Sequence, residues 1–302
     1  MKRILDCVGS TPLIFVESVF CKLEYLNPSG SIKDRIAKYI VEQAEKKGLL
    51  KKGYTIVEAS TGNTGTAFAM VGAVKRYKVI IYIPRGLSEE RYKMMRSFGA
   101  EVRFVEENNT FHALQKAKAL GKKKGFYHPD HFSNPWNVEE HEIHMGKEIL
   151  EQLKVMKVKK VDAVVAGIGS GGTIIGLGKA VKKIFPKVKV FGVEPLECAL
   201  TYENLHNQKA VCLPHKIEGI ADGFIPPIIE KNMDILDDVM RIKSDDAIRA
   251  SGYLARKHGL FVGISSGANY LAAKQLKRKY KNIVTVFADE GEKYLSMSSP
   301  IE

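Results

Sequence analysis

Short apolar runs rich in valine and isoleucine alternate along the chain with longer segments in which apolar residues recur at helical spacing. The apolar runs predict strands at 55–59, 79–84, 101–105, 161–167, 188–194 and 283–288. The helical spacing predicts helices at 34–48, 64–77, 88–99, 173–185 and 244–259. Ser88 is a candidate N-cap and Gly99 a candidate terminator of the third helix. Strands of this kind, separated by helices, are typical of parallel sheets covered by helices, so the pattern predicts an α/β fold.

A strand, a glycine-bearing turn and a helix follow one another twice, at 55–77 and at 161–185. A chain of 302 residues is longer than one average domain. We therefore expect two lobes, each a mostly parallel twisted sheet flanked by helices, with an N-terminal lobe at 1–137 and a C-terminal lobe at 138–302. The segment 127–137, with two prolines and little periodicity, predicts the crossing between them. Ligands are expected beyond the carboxyl ends of the strands, where both turns fall.

The charge balance is strongly basic, with a formal net charge of +13. The lysines form short runs spread over the chain, and most fall near the ends of predicted helices, so we expect no nucleic-acid partner and an anionic cofactor or substrate instead. No run approaches the roughly 18 apolar residues that a membrane span needs. The N-terminus lacks the apolar core of a secretion signal, which predicts a cytoplasmic protein.

Cysteine and histidine usage bears on redox state and metal binding. Cys7, Cys21, Cys198 and Cys212 are scattered without a C-x-x-C pair, which predicts reduced thiols and argues against a disulfide framework or a zinc site. His128, His131 and the HEIH segment at 141–144 do not form an H-E-x-x-H motif either. We expect no metal site.

The second glycine turn, GIGSGGT at 167–173, has two chemical interpretations. A backbone with few Cβ atoms at the start of a helix can wrap a phosphate with its N–H groups. Gly167, Gly169 and Gly172 also satisfy G-x-G-x-x-G, and Glu194 ends the next strand where a dinucleotide fold places its ribose carboxylate. A third, purely structural reading is that the glycines serve close packing. This turn alone does not decide between a phosphate cofactor and a dinucleotide.

Three further segments decide in favour of the phosphate cofactor. NPSGSIKDR at 27–35, ASTGNTG at 59–65 and GISSGAN at 263–269, together with GIGSGGT, resemble the cysteine synthase and cystathionine β-synthase family of fold type II pyridoxal-phosphate (PLP) enzymes. The resemblance runs from GSTPL at 9–13 to GEKYLS at 291–296. It implies a tryptophan synthase β-like fold with a smaller, mobile N-terminal lobe, from which residues about 13–33 cross to the other lobe. It also implies a homodimer.

The resemblance assigns cofactor contacts residue by residue. Lys33, the catalytic residue, would form an imine with the PLP aldehyde, and the preceding Ser29, Gly30 and Ser31 suit a helix cap. Asn63 would bind the 3'-oxygen and Ser265 the pyridine nitrogen, although Ser265 and Ser266 also suit a helix cap. The phosphate would be held by Gly169, Ser170, Gly171, Gly172 and Thr173.

Substrate contacts follow from the same resemblance. The α-carboxylate would be bound by Ser60, Thr61, Gly62 and Thr64, where short hydroxyls and a helix start at Thr64 suit an anion. Gly219 and His131 would also contact the substrate. The chain departs from the family pattern at four points: Ser60-Thr61 stands where the family usually has threonine followed by serine, His131 stands where glutamine is common, Asp222 replaces a small residue, and Ala288 replaces a frequent proline.

The implied reaction is a β-replacement that makes L-cysteine from sulfide and O-acetylserine or O-phosphoserine. One alternative is condensation of serine with homocysteine to cystathionine, and another is a nicotinamide-dependent oxidoreductase if the glycine turn binds a dinucleotide. A fourth hypothesis is a non-catalytic homologue that binds a partner's C-terminal peptide in the carboxylate site. The family makes the C-terminal peptide of a serine acetyltransferase a candidate partner.

Overall fold

The structure is a computed structural model that describes residues 3–85, 89–106 and 110–295. The chain divides into two compact units. Unit 1 comprises Met1–Val8 and Asn27–Trp136, and unit 2 comprises Gly9–Leu26 and Asn137–Glu302. The division into lobes at 1–137 and 138–302, with residues about 13–33 crossing to the other lobe, stays a prediction. The mobility of the N-terminal lobe stays a prediction.

The described part of the chain contains ten strands and eleven α-helices. The strands are β1 (Leu13–Val16), β2 (Val19–Leu23), β3 (Thr55–Ala59), β4 (Lys78–Pro84), β5 (Glu101–Val105), β6 (Phe126–Tyr127), β7 (Ala163–Gly167), β8 (Lys189–Pro195), β9 (Asp238–Ile242) and β10 (Ile283–Phe287). The helices are α1 (Lys33–Lys46), α2 (Asn63–Lys75), α3 (Glu89–Ser97), α4 (Thr110–Gly121), α5 (Pro135–Glu140), α6 (Gly146–Val155), α7 (Gly172–Ile184), α8 (Leu200–Leu205), α9 (Pro227–Glu230), α10 (Ser244–His258) and α11 (Ile264–Leu276). A π-helical turn, His141–Met145, joins α5 to α6.

Unit 1 is built on a four-stranded parallel sheet in the order β5-β4-β3-β6. Alternate residues of β3 enter different cores: Ile56 packs with residues of α1 and α2, whereas Val57 packs with Ala113 and Ala117 of α4. Burial on both faces explains why consecutive residues of β3 and β4 are apolar. Glu58 interrupts that pattern and is nevertheless fully buried.

Unit 2 is built on a six-stranded sheet in the order β1-β2-β10-β7-β8-β9, parallel except for the β1–β2 hairpin. The hairpin turns at Glu17 and Ser18, both with positive φ. The Glu17 carboxylate accepts hydrogen bonds from Tyr270 Oη at 2.6 Å and from Lys274 Nζ at 3.1 Å, and these contacts hold the turn against α11. A Glu-Ser turn lacks the usual Asn-Gly signal, so the hairpin gave no sequence prediction.

The α/β prediction is confirmed. The strands predicted at 55–59 and 101–105 have those bounds in the structure, and the helix predicted at 244–259 spans Ser244–His258. Gly99 follows α3 with φ +84°, as the expected terminator, while Ser88 lies outside the described residues. Within the described ranges, no helix combines the length and apolarity needed to cross a bilayer.

The expectation that all cysteines are reduced is wrong for one pair. Cys198 and Cys212 form a disulfide, whereas Cys7 and Cys21 are free thiols. The pair lies 14 residues apart and forms an isolated antiparallel bridge, because the chain turns back on itself after β8 and α8. A search for C-x-x-C pairs does not detect cysteines that only a chain reversal brings together.

Candidate active site

The second glycine turn joins the end of β7 to the start of α7 in unit 2, and its glycines are required by packing. Gly171 has φ +87°, a conformation that L side chains rarely adopt. A Cβ on Gly169 would lie 2.5 Å from the carbonyl oxygen of Gly219, and one on Gly172 would lie 1.9 Å from Asn137 Oδ1. The sequence reading that treated the glycines as packing residues therefore holds here, alongside any binding role.

The same turn contains backbone N–H groups that have no acceptor in the described part of the chain. None of the N–H groups of residues 169–173 donates a hydrogen bond to another residue within 3–85, 89–106 and 110–295. Ser170 Oγ accepts a hydrogen bond from Asn137 Nδ2 at 2.9 Å, and Thr173 Oγ1 lies 3.3 Å from His141 Nε2. N–H groups without an internal acceptor at a helix N-terminus favour an anion. The turn is thus a candidate oxyanion site.

The loop that contains Gly219 packs directly on this turn. Gly219 has φ +84°, and the N–H of Ala221 donates to the carbonyl of Ile168 at 2.8 Å. Since both segments belong to unit 2, their contact is internal to one compact body. Gly219, predicted as a substrate residue, therefore lies beside the predicted phosphate residues.

Glu194, which the sequence offered as a ribose-binding carboxylate, has a structural role. Its buried carboxylate accepts the N–H groups of Thr201 and Tyr202 at 3.1 Å, at the start of α8. Burial raises the pKa of this carboxyl group, and the bonds from Thr201 and Tyr202 oppose that rise. A carboxylate that caps a helix in this way does not present its oxygens to a ribose. Glu194 therefore no longer supports dinucleotide binding.

Ser265 is the second residue of α11 and is 5% exposed. Its hydroxyl makes no hydrogen bond to any residue that the structure describes, whereas the neighbouring Ser266 Oγ accepts the N–H of Ala288 at 3.0 Å. Ser266 therefore bonds the segment that follows β10, and neither serine has the helix-cap role that the sequence left open, since the N-cap of α11 is Gly263. The Ser265 hydroxyl is suited to a ligand contact.

Lys33 is the first residue of α1 in unit 1 and is half-buried. Its N–H donates to Ser31 Oγ at 3.3 Å, after a turn at Gly30 with φ +76°. The Asp34 carboxylate accepts the Ser29 N–H at 2.6 Å and also binds the Ser29 hydroxyl. The serines thus fix the entry into the helix, as expected, and set the direction in which Lys33 leaves the backbone.

The first glycine turn follows β3 and opens α2, which packs against α1. Ser60 Oγ accepts the N–H groups of Gly62 at 3.1 Å and Gly65 at 2.8 Å, so this hydroxyl acts as a helix cap. The helix begins at Asn63, one residue before the predicted start at Thr64. The N–H groups of Thr61 and Thr64 donate to no residue in the described ranges.

His131, predicted to contact the substrate, is 4% exposed and belongs to a buried charged cluster of unit 1. Its Nδ1 lies 3.3 Å from Glu58 Oε2, while His128 Nε2 lies 3.2 Å from Glu58 Oε1. Sequence reasoning missed Glu58. A carboxylate inside the apolar strand TIVEA, two residues before the Ser60 loop, was the signal that could have found it.

A family model described as pyridoxal-phosphate dependent enzyme matches residues 4–289, almost the whole chain. The chain belongs to this family. The family resemblance inferred from the four sequence segments is therefore confirmed, and so is the PLP cofactor.

Several relatives of this PLP enzyme have names or solved structures. A curated cysteine synthase of Staphylococcus aureus (strain N315) is 38% identical over 306 residues, covering 97% of this chain and 95% of the relative. The structure of a hydrogen sulfide-producing enzyme from Fusobacterium nucleatum has 40% identity and a TM-score of 0.89, covering 97% of this chain and 90% of that one. A cysteine synthase from Entamoeba histolytica has 34% identity and a TM-score of 0.87, with 98% and 89% covered.

The residues of the PLP enzyme fit the chemistry of its cofactor. The N–H groups of residues 169–173 and the start of α7 match a phosphate monoester, and the Ser265 hydroxyl matches a neutral partner for a ring nitrogen. Lys33 supplies the primary amine that an aldehyde requires. That these particular residues bind the cofactor and the substrate stays a prediction.

Proposed function

We propose that this PLP enzyme makes L-cysteine by β-replacement, taking O-acetylserine or O-phosphoserine as donor and sulfide as acceptor. The observation that carries the proposal is that the N–H groups of residues 169–173 donate to no residue in the described ranges. The chain that contains them matches a cysteine synthase over 97% of its length. Formation of cystathionine is less favoured because the curated relatives are cysteine synthases. A nicotinamide reaction is not favoured because Glu194 caps α8.

The cofactor contacts that we propose use groups from both glycine turns. Lys33 Nζ would bind the aldehyde carbon, Asn63 the 3'-oxygen, and Ser265 Oγ the pyridine nitrogen. The phosphate would accept the N–H groups of 169–173. When bound, PLP draws electrons from the Cα of the amino acid and so makes its proton acidic. A neutral hydroxyl at Ser265 does not hold the ring nitrogen protonated, which suits elimination of a β-group.

The substrate contacts that we propose involve the first turn, Gly219 and His131. The N–H groups of Thr61 and Thr64 have no other acceptor within the described ranges and point to the α-carboxylate as their ligand. Ser60 and Gly62 would shape this turn, the former through its cap on α2. Lys33 Nζ would remove the proton from Cα and later return it to the product. Closure of the turn over the carboxylate would exclude water.

Borohydride reduction followed by peptide mapping tests the role of Lys33. In the purified, PLP-supplied protein we expect a phosphopyridoxyl group on the peptide that contains Lys33. Lys33→Ala should lose both this label and the visible absorbance band, whereas the control Lys38→Ala, half-buried on the same helix, should keep both. A label on any other lysine, or a visible band that survives in Lys33→Ala, contradicts the assignment.

Spectral titration tests the donor. O-acetylserine or O-phosphoserine should shift the visible band, and sulfide should then restore it with release of cysteine. A shift with serine followed by recovery only with homocysteine would replace cysteine synthesis by the cystathionine reaction. No shift with any of the three donors would leave a non-catalytic homologue.

We also propose a homodimer and binding of the C-terminal peptide of a serine acetyltransferase, both by analogy with the family. Light scattering of the holoenzyme should give twice the mass of one chain. A peptide that ends in a free carboxylate should compete with O-acetylserine, because both would use the Thr61 and Thr64 N–H groups, and an amidated peptide should not. Competition by both peptides, or by neither, contradicts this use of the site.

A further inference from the structure

The Cys198–Cys212 disulfide attaches an exposed segment of unit 2 to its interior. Cys198 is 0% exposed, whereas every residue from 207 to 214, including Cys212, is exposed. The segment therefore contributes no buried side chain of its own to the core. A reductant in solution has access to Cys212, since this half of the bond lies at the surface.

The segment 207–214 is also held by backbone hydrogen bonds at the surface. The N–H of Val211 donates to the Glu203 carboxylate at 2.7 Å, and the N–H of Leu213 donates to the carbonyl of Glu197 at 2.9 Å. Hydrogen bonds of exposed residues with few buried apolar contacts open at low free-energy cost. Breaking the disulfide therefore leaves this segment held by bonds that open easily.

A short series of hydrogen bonds leads from the disulfide along the chain. Leu213 and Glu197 pair next to the antiparallel bridge that the two cysteines form. The Glu197 carboxylate accepts the N–H of Ser244 at 2.9 Å. Ser244 Oγ in turn accepts the N–H of Lys216 at 3.0 Å. Glu197 and Ser244 therefore fix both ends of the stretch 213–216.

The residues after Lys216 pack on the glycine turn at 167–173. Ile217 is 0% exposed and belongs to the core of unit 2. The Gly219 carbonyl lies against Gly169, where an added Cβ would be only 2.5 Å away, and the N–H of Ala221 donates to the turn at 2.8 Å. Successive contacts within unit 2 therefore connect the disulfide to the turn.

We propose that the Cys198–Cys212 disulfide is a redox switch for the Gly219 loop. The intact bond holds this loop against the glycine turn, and reduction lets the loop open and weakens binding of the amino-acid donor. The oxidised enzyme is the high-affinity form. The effect on the donor rests on the proposed function, in which Gly219 contacts the substrate.

The reductant of this switch is a dithiol. One of its thiolates attacks the sulfur of Cys212 and forms a mixed disulfide, while the original S–S bond breaks and Cys198 leaves as a thiolate that takes up a proton. The second thiolate then attacks the reductant's own sulfur in the mixed disulfide, which closes the oxidised reductant and releases Cys212. Two electrons and two protons thus pass from the dithiol to the two cysteines. A buried thiol at Cys198 is tolerated as a small apolar side chain.

Hydrogen exchange of the holoenzyme tests the loop directly. One sample is kept oxidised, and the other is treated with dithiothreitol, which is then removed by gel filtration without air. Exchange at 213–221 should be at least about threefold faster in the reduced protein, because an open loop loses its hydrogen bonds. Exchange at 60–65 in unit 1 should be the same in both samples.

Donor titration tests the functional consequence. The visible band is followed in the absence of sulfide, so that the acceptor does not reduce the disulfide during the measurement. Reduction should raise the apparent Kd of the donor about 3- to 10-fold, since a loop that is open in roughly two thirds to nine tenths of the molecules lowers the competent fraction to that extent. Cys198→Ser/Cys212→Ser should bind like the reduced protein and ignore dithiothreitol. The exposed Cys7→Ser should respond as wild type does.

A substitution in the series of hydrogen bonds tests the route. Ser244→Ala removes the acceptor of the Lys216 N–H, so it should raise the apparent Kd in the oxidised protein, and reduction should then add little. Asp245→Asn is the matched control. It removes only the exposed ion pair with Lys216 Nζ, at 3.3 Å, and should keep the full response to reduction.

Two results would overturn the switch. One is equal exchange at 213–221 in oxidised and reduced wild-type protein, which decides the matter even if the cysteine variant does not fold. The other is a donor affinity that dithiothreitol lowers equally in Cys198→Ser/Cys212→Ser. A band that neither donor shifts in either redox state is a failure of the proposed function, and hydrogen exchange then still confirms or contradicts the opening of the loop.

Discussion

The two glycine turns connect a parallel strand to a helix in the same way but are stabilised by different forces. The turn at 167–172 is fixed by contact, since its glycines lie against the Gly219 carbonyl and the Asn137 amide. The turn at 60–62 is fixed by hydrogen bonds, from the Ser60 cap and from Arg91 Nη1, which donates to the Thr61 carbonyl at 2.5 Å. The atoms nearest to a Cβ on Gly62 belong to the Arg91 side chain, with Nη1 at 3.1 Å.

Because of this difference, we expect the two turns to bind anions in different ways. The packed turn holds its backbone in place by contact, which suits a cofactor phosphate that stays bound. The hydrogen-bonded turn satisfies part of its own backbone through Ser60 and has the titratable Glu58 two residues away. Such a turn can rearrange when a substrate enters and leaves.

Gly169→Ala should have the largest effect. The new Cβ would lie 2.5 Å from a backbone oxygen, so the Gly219 loop must shift and at least one phosphate donor is misaligned. Loss of one charge-assisted hydrogen bond, about 1.5–3 kcal/mol, weakens PLP binding roughly 10- to 100-fold. Overpacking lowers stability by about 1–3 kcal/mol.

Titration of PLP into the apoenzyme and urea unfolding measure both quantities. Gly62→Ala is the matched variant in the other turn and should keep PLP affinity close to wild type, because its Cβ meets Arg91 Nη1 and leaves the turn at 167–172 untouched. Equal losses in the two variants would show that the turns do not differ in the way proposed.

Loss of the disulfide should have the next effect. Cys198–Cys212 joins the two segments of unit 2 that flank α8, while unit 1 has no such cross-link in its described part. Removing a cross-link that closes a loop of this size lowers the free energy of unfolding by about 3 kcal/mol. Cys198→Ser/Cys212→Ser should show this loss in urea, and the exposed Cys7→Ser should not. Alkylation of four thiols in the native, unreduced protein would contradict the bond.

The sequence predicted the packed turn better than the hydrogen-bonded one. Strand, glycines and helix at 161–185 are a local pattern, and the N–H groups of residues 169–173 follow from that pattern alone. Ser60 was predicted to hold the substrate by its hydroxyl, but that oxygen accepts two N–H groups of its own turn. The residue type identifies Ser60 as a hydrogen-bond acceptor, whereas only the course of the backbone shows which N–H groups it accepts.

Contacts between residues that are distant in the sequence were not predicted. Glu58 and His131 are 73 residues apart, and the Cys198–Cys212 bridge depends on a chain reversal after α8. No local periodicity encodes such contacts. A charged residue in an apolar strand is the one local sign, because a buried carboxylate has to be paired.

Ser60→Ala tests the cap of the hydrogen-bonded turn. The substitution removes the acceptor of the Gly62 and Gly65 N–H groups, which should lower the free energy of unfolding by about 1 kcal/mol. Ser60→Thr keeps the oxygen, stands where the family has threonine, and should match wild type. If both variants unfold like wild type, the hydroxyl is not a cap and is available to the substrate.

The pH dependence of local opening should be the smallest effect. The raised pKa of His128 means that its contribution to stability is complete below about 6.5 and is lost as pH rises through the raised value. The lowered pKa of Glu58 adds stability that is present above about 4.5 and is lost only as pH falls through the lowered value. The segment 126–134 should therefore be best protected between these limits.

After correction for intrinsic rates, hydrogen exchange there should increase from about pH 5.5 to about pH 8, while exchange at 167–173 stays flat. His128→Gln should remove the increase; a parallel increase at 167–173 would mean that both turns respond to charge. The change is small because the desolvation of His128 offsets part of its attraction to Glu58.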